Sequence, residues 1–364
     1  MKELIKKITA KLGYQTEKKQ VFFLSDDWGS VRMKSKKDQD ELLKKGFIIN
    51  NRFDQFDTLE SNEDLENLFE VLSKHKDYSG NHPCITAVTN VANPDFNKIK
   101  AENFEDYHFE SIEDTYLRYP HSNRVLKLTK EGIQSKIFVP QSHGREHVQV
   151  NWWMKELQIE TSYARMFFDH EFFFLRPIYL SQVRRNRGIG ASFDVWKQED
   201  ITNTKKIARN SLELFEKLYG YYSVVFTPPA IFYNPSIEKE IKYMGVDWLD
   251  VGRLFKVPLP NGKEAYQWNY LGKKRNSGLR VLVRNGMFEP NISETDNGVE
   301  RAIYDIEQAF KLKQPALLSN HRAAFVGGID PKNRDKGLKA LDELLSKILK
   351  KWPDIEFNSL CDLK

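Results

Sequence analysis

Two histidines four residues apart, His143 and His147, follow an apolar run that stops at a proline, in I-F-V-P-Q-S-H-G-R-E-H from Ile137 to His147. On a strand ending in a turn of helix, positions i and i+4 share a face, so the two imidazoles could hold one divalent ion. A catalytic site of that kind has three protein ligands and an open position. The third ligand is expected from the Asp26-Asp27 pair, which closes a second apolar run, K-Q-V-F-F-L from Lys19 to Leu24. One aspartate would bind the ion, and its neighbour would take a proton from water that the ion activates, so that hydroxide attacks a carbonyl. His321, at the end of a late strand, could then protonate the departing group.

The elements that must position these groups alternate in type. Strands are expected at 19–24, 84–91, 136–139, 223–226, 246–249, 316–318 and 355–357. Helices are expected at 36–45, 63–74, 148–157, 204–218, 236–244, 299–312 and 336–349. Alternation of this kind builds parallel βαβ units, and no Pro/Gly/Ser linker divides the chain, so residues 1–364 are expected to form one α/β catalytic domain. Residues 266–270 and 279–283 read as a hairpin, and the stretch around 163–200 as an inserted cap. In barrels of βα units the working residues lie just past the C-terminal ends of strands. Asp26, Asp27, Asn93, Asp95, His143, His147, Thr227 and His321 all have that placement, and Asn93 and Asp95 are candidates for the substrate side.

The composition narrows the partners. With 56 basic against 51 acidic residues the excess of +5 is spread thin, which argues against nucleic acid. No run approaches the ~20 apolar residues of a membrane span, and Lys6, Lys7 and Lys11 break any signal-peptide core, so a cytoplasmic location is expected. Leu4, Ile5, Ile8 and Leu12 make residues 1–12 amphipathic, which leaves membrane-surface contact open. Cys84 and Cys361 have no disulfide or metal spacing and read as reduced structural thiols.

Leu24-Ser25-Asp26-Asp27, His143-Gly-Arg-Glu-His147, Phe226-Thr227-Pro228-Pro229-Ala230, Val246-Asp247-Trp248 and Ser319-Asn320-His321 occur in the order of the five motifs of the NodB-homology polysaccharide deacetylases, carbohydrate esterase family four, which the chain resembles over residues 20 to 322. The resemblance implies a distorted (β/α)7 barrel of the NodB-homology type. It implies Asp26 as base, Asp27, His143 and His147 as metal ligands, the Ala230 backbone N–H as oxyanion donor and His321 as acid. The implied ion is Zn2+, with Co2+, Ni2+ or Mn2+ as alternatives, and the implied reaction removes an acetyl group, N-acetyl first, from a sugar or glycan. The chain departs from the family where Trp28 precedes Gly29, where Asn320 replaces an apolar residue, and where Thr227 replaces the arginine that orients the base. Arg253 or Arg284 could substitute for that arginine, and Arg284 is also a candidate for the oxyanion and substrate side. A cytoplasmic member would act on a biosynthetic sugar carried on a nucleotide, a lipid or a growing glycan, and Arg184, Arg185 and Arg187 could meet a phosphate on it.

Two rival readings use the same residues. His143-x-x-Glu146-His147 also fits the inverzincin metallopeptidases, with Glu146 as base, although Pro140 and Gly144 disfavour the long helix which that motif needs. A non-catalytic carbohydrate-binding barrel would use Trp152, Trp153, Trp248 and Trp268 as stacking platforms. Asp169-His170-Glu171 is a candidate second metal cluster, set against a plain packing role for Phe167 to Leu175.

Overall fold

A computed structural model describes residues 9–182, 187–293 and 295–363. Its centre is strand β1, Lys19–Trp28, whose last eight residues are buried. A strand covered on both faces reads as a continuous apolar run, as Val21-Phe22-Phe23-Leu24 does.

Eight further strands join β1 in one parallel sheet: β2 (Ile85–Thr89), β3 (Phe138–Ser142), β4 (Val225–Phe226), β5 (Trp248–Asp250), β6 (Arg280–Leu282), β7 (Gly286–Met287), β8 (Ala316–His321) and β9 (Ile355–Phe357). The order is β6-β5-β4-β3-β2-β1-β8-β7, with β9 paired to the first three residues of β1. The two edge strands, β6 and β7, are separated in sequence only by Val283, Arg284 and Asn285. Chain geometry allows at most ~3.3–3.6 Å per residue, so the sheet must curl until its edges nearly meet. The result is a distorted (β/α)7 barrel whose seam is bridged by the chain itself.

Helices cover the outside. Helix Asn62–Ser73 starts in a capping box formed by Ser61 and Asp64 and buries Leu65, Leu68, Val71 and Leu72 along one face. Those residues share a core with Leu338, Leu341, Leu344, Leu345 and Ile348 of helix Pro331–Lys351, which starts at Asp330 with proline in its first turn. Each leucine so buried stabilises by about 1.5–3 kcal/mol relative to exposure. Helix Gln198–Tyr219 ends at Gly220, whose φ of 80° is the left-handed conformation that stops a helix.

Several expectations change. The hairpin pairs Leu254–Pro258 with Glu264–Trp268 through a turn containing Asn261-Gly262, and Arg280–Leu282 instead joins the barrel. Asn-Gly is the stronger turn signal, since glycine there takes a φ of 79°. The helix after the histidines begins at Val150, leaving 143–149 as irregular loop. The cap does pack: Phe167, Phe168, Phe172, Phe173 and Phe174 are buried in the main core. Leu4, Ile5, Ile8, Arg184 and Arg185 lie outside the described residues, and among the described residues no helix is long and apolar enough to cross a membrane.

Candidate metal centre and its second carboxylate

Adjacent residues on a regular strand face opposite ways, so Asp26 and Asp27 could not serve one site on an ideal β1. The strand is not ideal. Its register with β2 shifts between Ser25 and Trp28, and Asp27 takes a left-handed φ of 74°. A bulge of this kind re-aims side chains, and aspartate is among the few non-glycine residues that tolerate the conformation, at a cost of about 1–3 kcal/mol. The kinked segment is held from outside: Gly29 N–H donates to Glu60 Oε1 at 3.0 Å, and Val31 N–H to Asn93 Oδ1 at 2.8 Å. Gly29 has to be glycine, because a Cβ would stand 2.4 Å from the Asn90 carbonyl oxygen.

Asp27 meets both histidines. Its Oδ1 is 3.4 Å from His143 Nε2 and 3.3 Å from His147 Nε2, and one ligand atom from each of the three residues lies within 4.8 Å of the others. His143 Nδ1 is 2.7 Å from the Thr227 carbonyl oxygen, an acceptor, so Nδ1 carries the proton and Nε2 keeps its lone pair for the site. That Nε2 is buried without a hydrogen-bond partner, as is His147 Nδ1 among the described residues. Burial would raise the Asp27 pKa, but the two imidazoles beside it hold the carboxyl well below the usual range; burial lowers the pKa of His147. A buried carboxylate facing two imidazoles, one with an orphaned nitrogen beside it, would suit a divalent transition-metal ion. The histidines converge without a helix: Gly144, at a φ of 83°, turns the loop, and a Cβ there would stand 2.8 Å from Phe193.

Asp26 belongs to a different set of partners. Arg284, in the segment that bridges the seam, donates from Nη1 and Nη2 to the two Asp26 oxygens, each at 2.7 Å. The same guanidinium reaches Asp250 from Nε at 2.8 Å and Ser319 Oγ from Nη1 at 3.0 Å, and Thr227 Oγ1 donates to Asp250 at 3.2 Å. Thr227 therefore touches the carboxylate cluster, while the guanidinium beside Asp26 comes from Arg284. Burial drives the Asp250 pKa up against the pull of Arg284. Arg253 is elsewhere, bonded to Thr9.

His321 is the register neighbour of Asp26 in the β1–β8 pair, and its Nε2 is 3.8 Å from Asp26 Oδ2. Its Nδ1 lies 2.5 Å from Glu289 Oε1, and Arg52 holds the other Glu289 oxygen at 2.8 Å. Burial would lower the His321 pKa, but Glu289, with Asp27 and Asp26, holds it above the ordinary imidazole value. Glu289, Asp250 and Arg52 carry no motif; the signal available for the first two was an acid at the end of a short strand. The next residue, Arg322, is fully buried and pairs with Asp57 at 3.0 Å and Glu60 at 2.8 Å. Glu60 is also the acceptor for Gly29, so one buried network fixes both β1 and β8 behind the site.

The remaining candidates make contacts of other kinds. The Asn93 amide is spent on the loop after β1, accepting from Val31 and donating to the Gly29 carbonyl at 2.9 Å. Asp95 caps helix Phe96–Ala101 and pairs with Lys98 at 3.1 Å. Ala230 is exposed, at a left-handed φ of 58°, directly after Pro228-Pro229. Glu146 is fully buried with its two oxygens taken by Arg145 at 2.5 and 3.1 Å, which removes the base that the peptidase reading requires. Asp169, His170 and Glu171 diverge to Lys100, to Asp38 and Lys45, and to Arg118, Lys34 and Tyr119 respectively. Trp152, Trp153 and Trp248 are buried, and Trp268 is half exposed. Arg187 lies over the Phe232 ring. Cys84 and Cys361 are free thiols.

No protein-family model matches the chain, and no curated protein matches its sequence. The fold is that of a solved structure from Parabacteroides distasonis described as a glycoside hydrolase/deacetylase, with a TM-score of 0.51 and 8% identity over 96% of this chain and 71% of that one. More distant likenesses include a protein from Mycobacterium smegmatis described as a polysaccharide deacetylase, with a TM-score of 0.44 and 11% identity over 96% of this chain and 91% of that one. A GH57-type branching enzyme from Pyrococcus horikoshii stands at a TM-score of 0.45 and 10% identity over 96% and 71%. A fold shared at this level of identity leaves the choice of chemistry to the site.

Proposed function

We propose that the protein is a metal-dependent carbohydrate deacetylase of the NodB-homology type, hydrolysing an acetyl group, N-acetyl first, from a sugar or glycan. The observation that carries this reading is the division of labour between adjacent aspartates: Asp27 faces His143 and His147, while Asp26 is held in a separate cluster by Arg284, with His321 on its far side. A pair of carboxylates with separate partners suits one metal ligand and one base.

A divalent ion held by Asp27, His143 and His147, with zinc first by donor type, would supply Lewis-acid activation of water and of the acetyl carbonyl. In this reading Asp26 takes the proton from the attacking water, its position fixed by the two-pronged hydrogen bond from Arg284. The Ala230 backbone N–H donates to the developing oxyanion. His321, whose pKa Glu289 raises, gives its proton to the leaving amine nitrogen, or to the sugar oxygen of an acetyl ester. Acetate and the free amine or hydroxyl are the products.

The test is acetate release by purified protein supplied with zinc or cobalt, across N-acetylated and O-acetylated sugars. Release that disappears in Asp26→Asn supports the reading. Binding of an acetylated glycan with no acetate release from any member of the panel would instead mark a non-catalytic barrel.

A further inference from the structure

Between the metal triad and His321 the wall of the site is built from segments outside the five motifs. Phe174, from the cap, packs against the His147 ring with centroids 5.0 Å apart, and Phe53 meets the His321 ring edge-on at 4.9 Å. Arg32 stands between them, its guanidinium 3.9 Å from the Phe174 centroid and 5.4 Å from that of Phe53. His147, Phe174, Arg32, Phe53 and His321 therefore form a continuous run of contacts from one histidine to the other, with a cation at its middle.

That cation is under-used. Arg284 and Arg322 spend their N–H groups on carboxylates, whereas Arg32 makes one hydrogen bond among the described residues, Nη2 to Asp54 at 3.2 Å. Its Nε is buried with no partner, although an unmade hydrogen bond at a buried donor costs free energy. Asp54 is shared, since Arg176 approaches the same carboxylate at 3.8 Å, so one directly paired carboxylate serves two guanidiniums, with the buried Asp57 acting on Arg32 only through space. The Arg32 side chain is still 12% exposed. The two rings hold the guanidinium in place, and an anion that accepted from its unused N–H groups would satisfy the orphaned donor.

We infer that Arg32 determines specificity by binding an anionic group, a carboxylate or a phosphate, carried by the acetylated sugar. The inference rests on the deacetylase reading for the identity of the substrate, and its test separates the two. Binding of glucuronate, glucose 6-phosphate and glucose is measured by calorimetry on wild-type, Arg32→Gln and Arg32→Lys proteins, with thermal melts to establish folding. The wild type is expected to bind one or both anions at least about tenfold more tightly than glucose, a preference of the size that one charge-assisted fork provides. Arg32→Gln should abolish it, and Arg32→Lys, which keeps the charge and stem, should retain part. A response to glucuronate alone or to glucose 6-phosphate alone names the source of the anion. Equal binding of all three by the wild type, or an anion preference that survives in folded Arg32→Gln, overturns the inference. None of these readings needs turnover, so an absence of acetate release would sink the deacetylase reading without deciding this one. Where acetate is released, Arg32→Gln should raise KM about tenfold more for the anionic sugar than for the neutral one.

Discussion

Arg284 and Asp26, 258 residues apart in sequence, meet through two hydrogen bonds of 2.7 Å each, and the same guanidinium pairs with Asp250 at 2.6 Å. One cation thus serves two buried carboxylates at the mouth of the barrel. Arg284→Met would leave both uncompensated, and breaking a buried pair in this way costs about 3–5 kcal/mol. Arg284→Lys keeps a charge but cannot form the fork, and is expected to lower kcat by about 10²-fold with metal content unchanged. Acetate-release kinetics beside elemental analysis check both halves of that statement.

The adjacent aspartates should separate cleanly by metal content. Asp27→Ala and His147→Ala are expected to lose bound zinc, whereas Asp26→Asn should retain it and lose about 10²–10⁴ in kcat. Equal metal in wild type and Asp27→Ala would overturn the ligand assignment.

The state of His321 is set largely by Glu289. An acid must be protonated to act, and the raised pKa of His321 means that it stays protonated to a higher pH than a free imidazole, with activity falling as pH rises through that value. Glu289→Gln removes the charge that lifts it, so the alkaline limb of the kcat profile should move to lower pH. The pH profiles of the two proteins, measured with the same substrate, give the answer; an unmoved limb would mean that another group titrates there.

Gly144 is expected to matter although it carries no side chain. Gly144→Ala imposes a left-handed φ on a residue with a Cβ and drives that Cβ toward Phe193, so about 1–3 kcal/mol of strain should displace the loop between the two histidines. Weaker zinc binding, seen in a competition titration with a chromogenic chelator, is the expected result.

Much of this site could be read from residue order. His143 and His147 announce themselves by spacing, and the Asp26-Asp27 pair by its position after an apolar strand. What spacing could not supply is how they converge: the histidines sit on an irregular loop because Gly144 breaks any helix, and the aspartates share a mouth because β1 bulges. The misjudged hairpin has a similar cause, since its strands are short and the Asn261-Gly262 turn outweighs the apolar runs around it. Arg284 could be named only as one of two candidates, because nothing local distinguishes an arginine that bridges a seam from one, like Arg253, that bonds near the amino terminus. Glu289, Asp250 and Arg52 became visible only with the fold, through contacts whose sequence separations carry no periodic signal.

The three residues that join the barrel's edges have a last consequence. Because Arg284 sits within that join, Asp26 acquires its counter-ion only when the final third of the chain has threaded across the gap. A nascent chain that has formed β1 through β5 would own both aspartates and both histidines yet lack the guanidinium that holds Asp26. Under the proposed deacetylase reading, assembly itself works as a latch on the chemistry, and fragments ending before Arg284 should be inert even where they bind zinc.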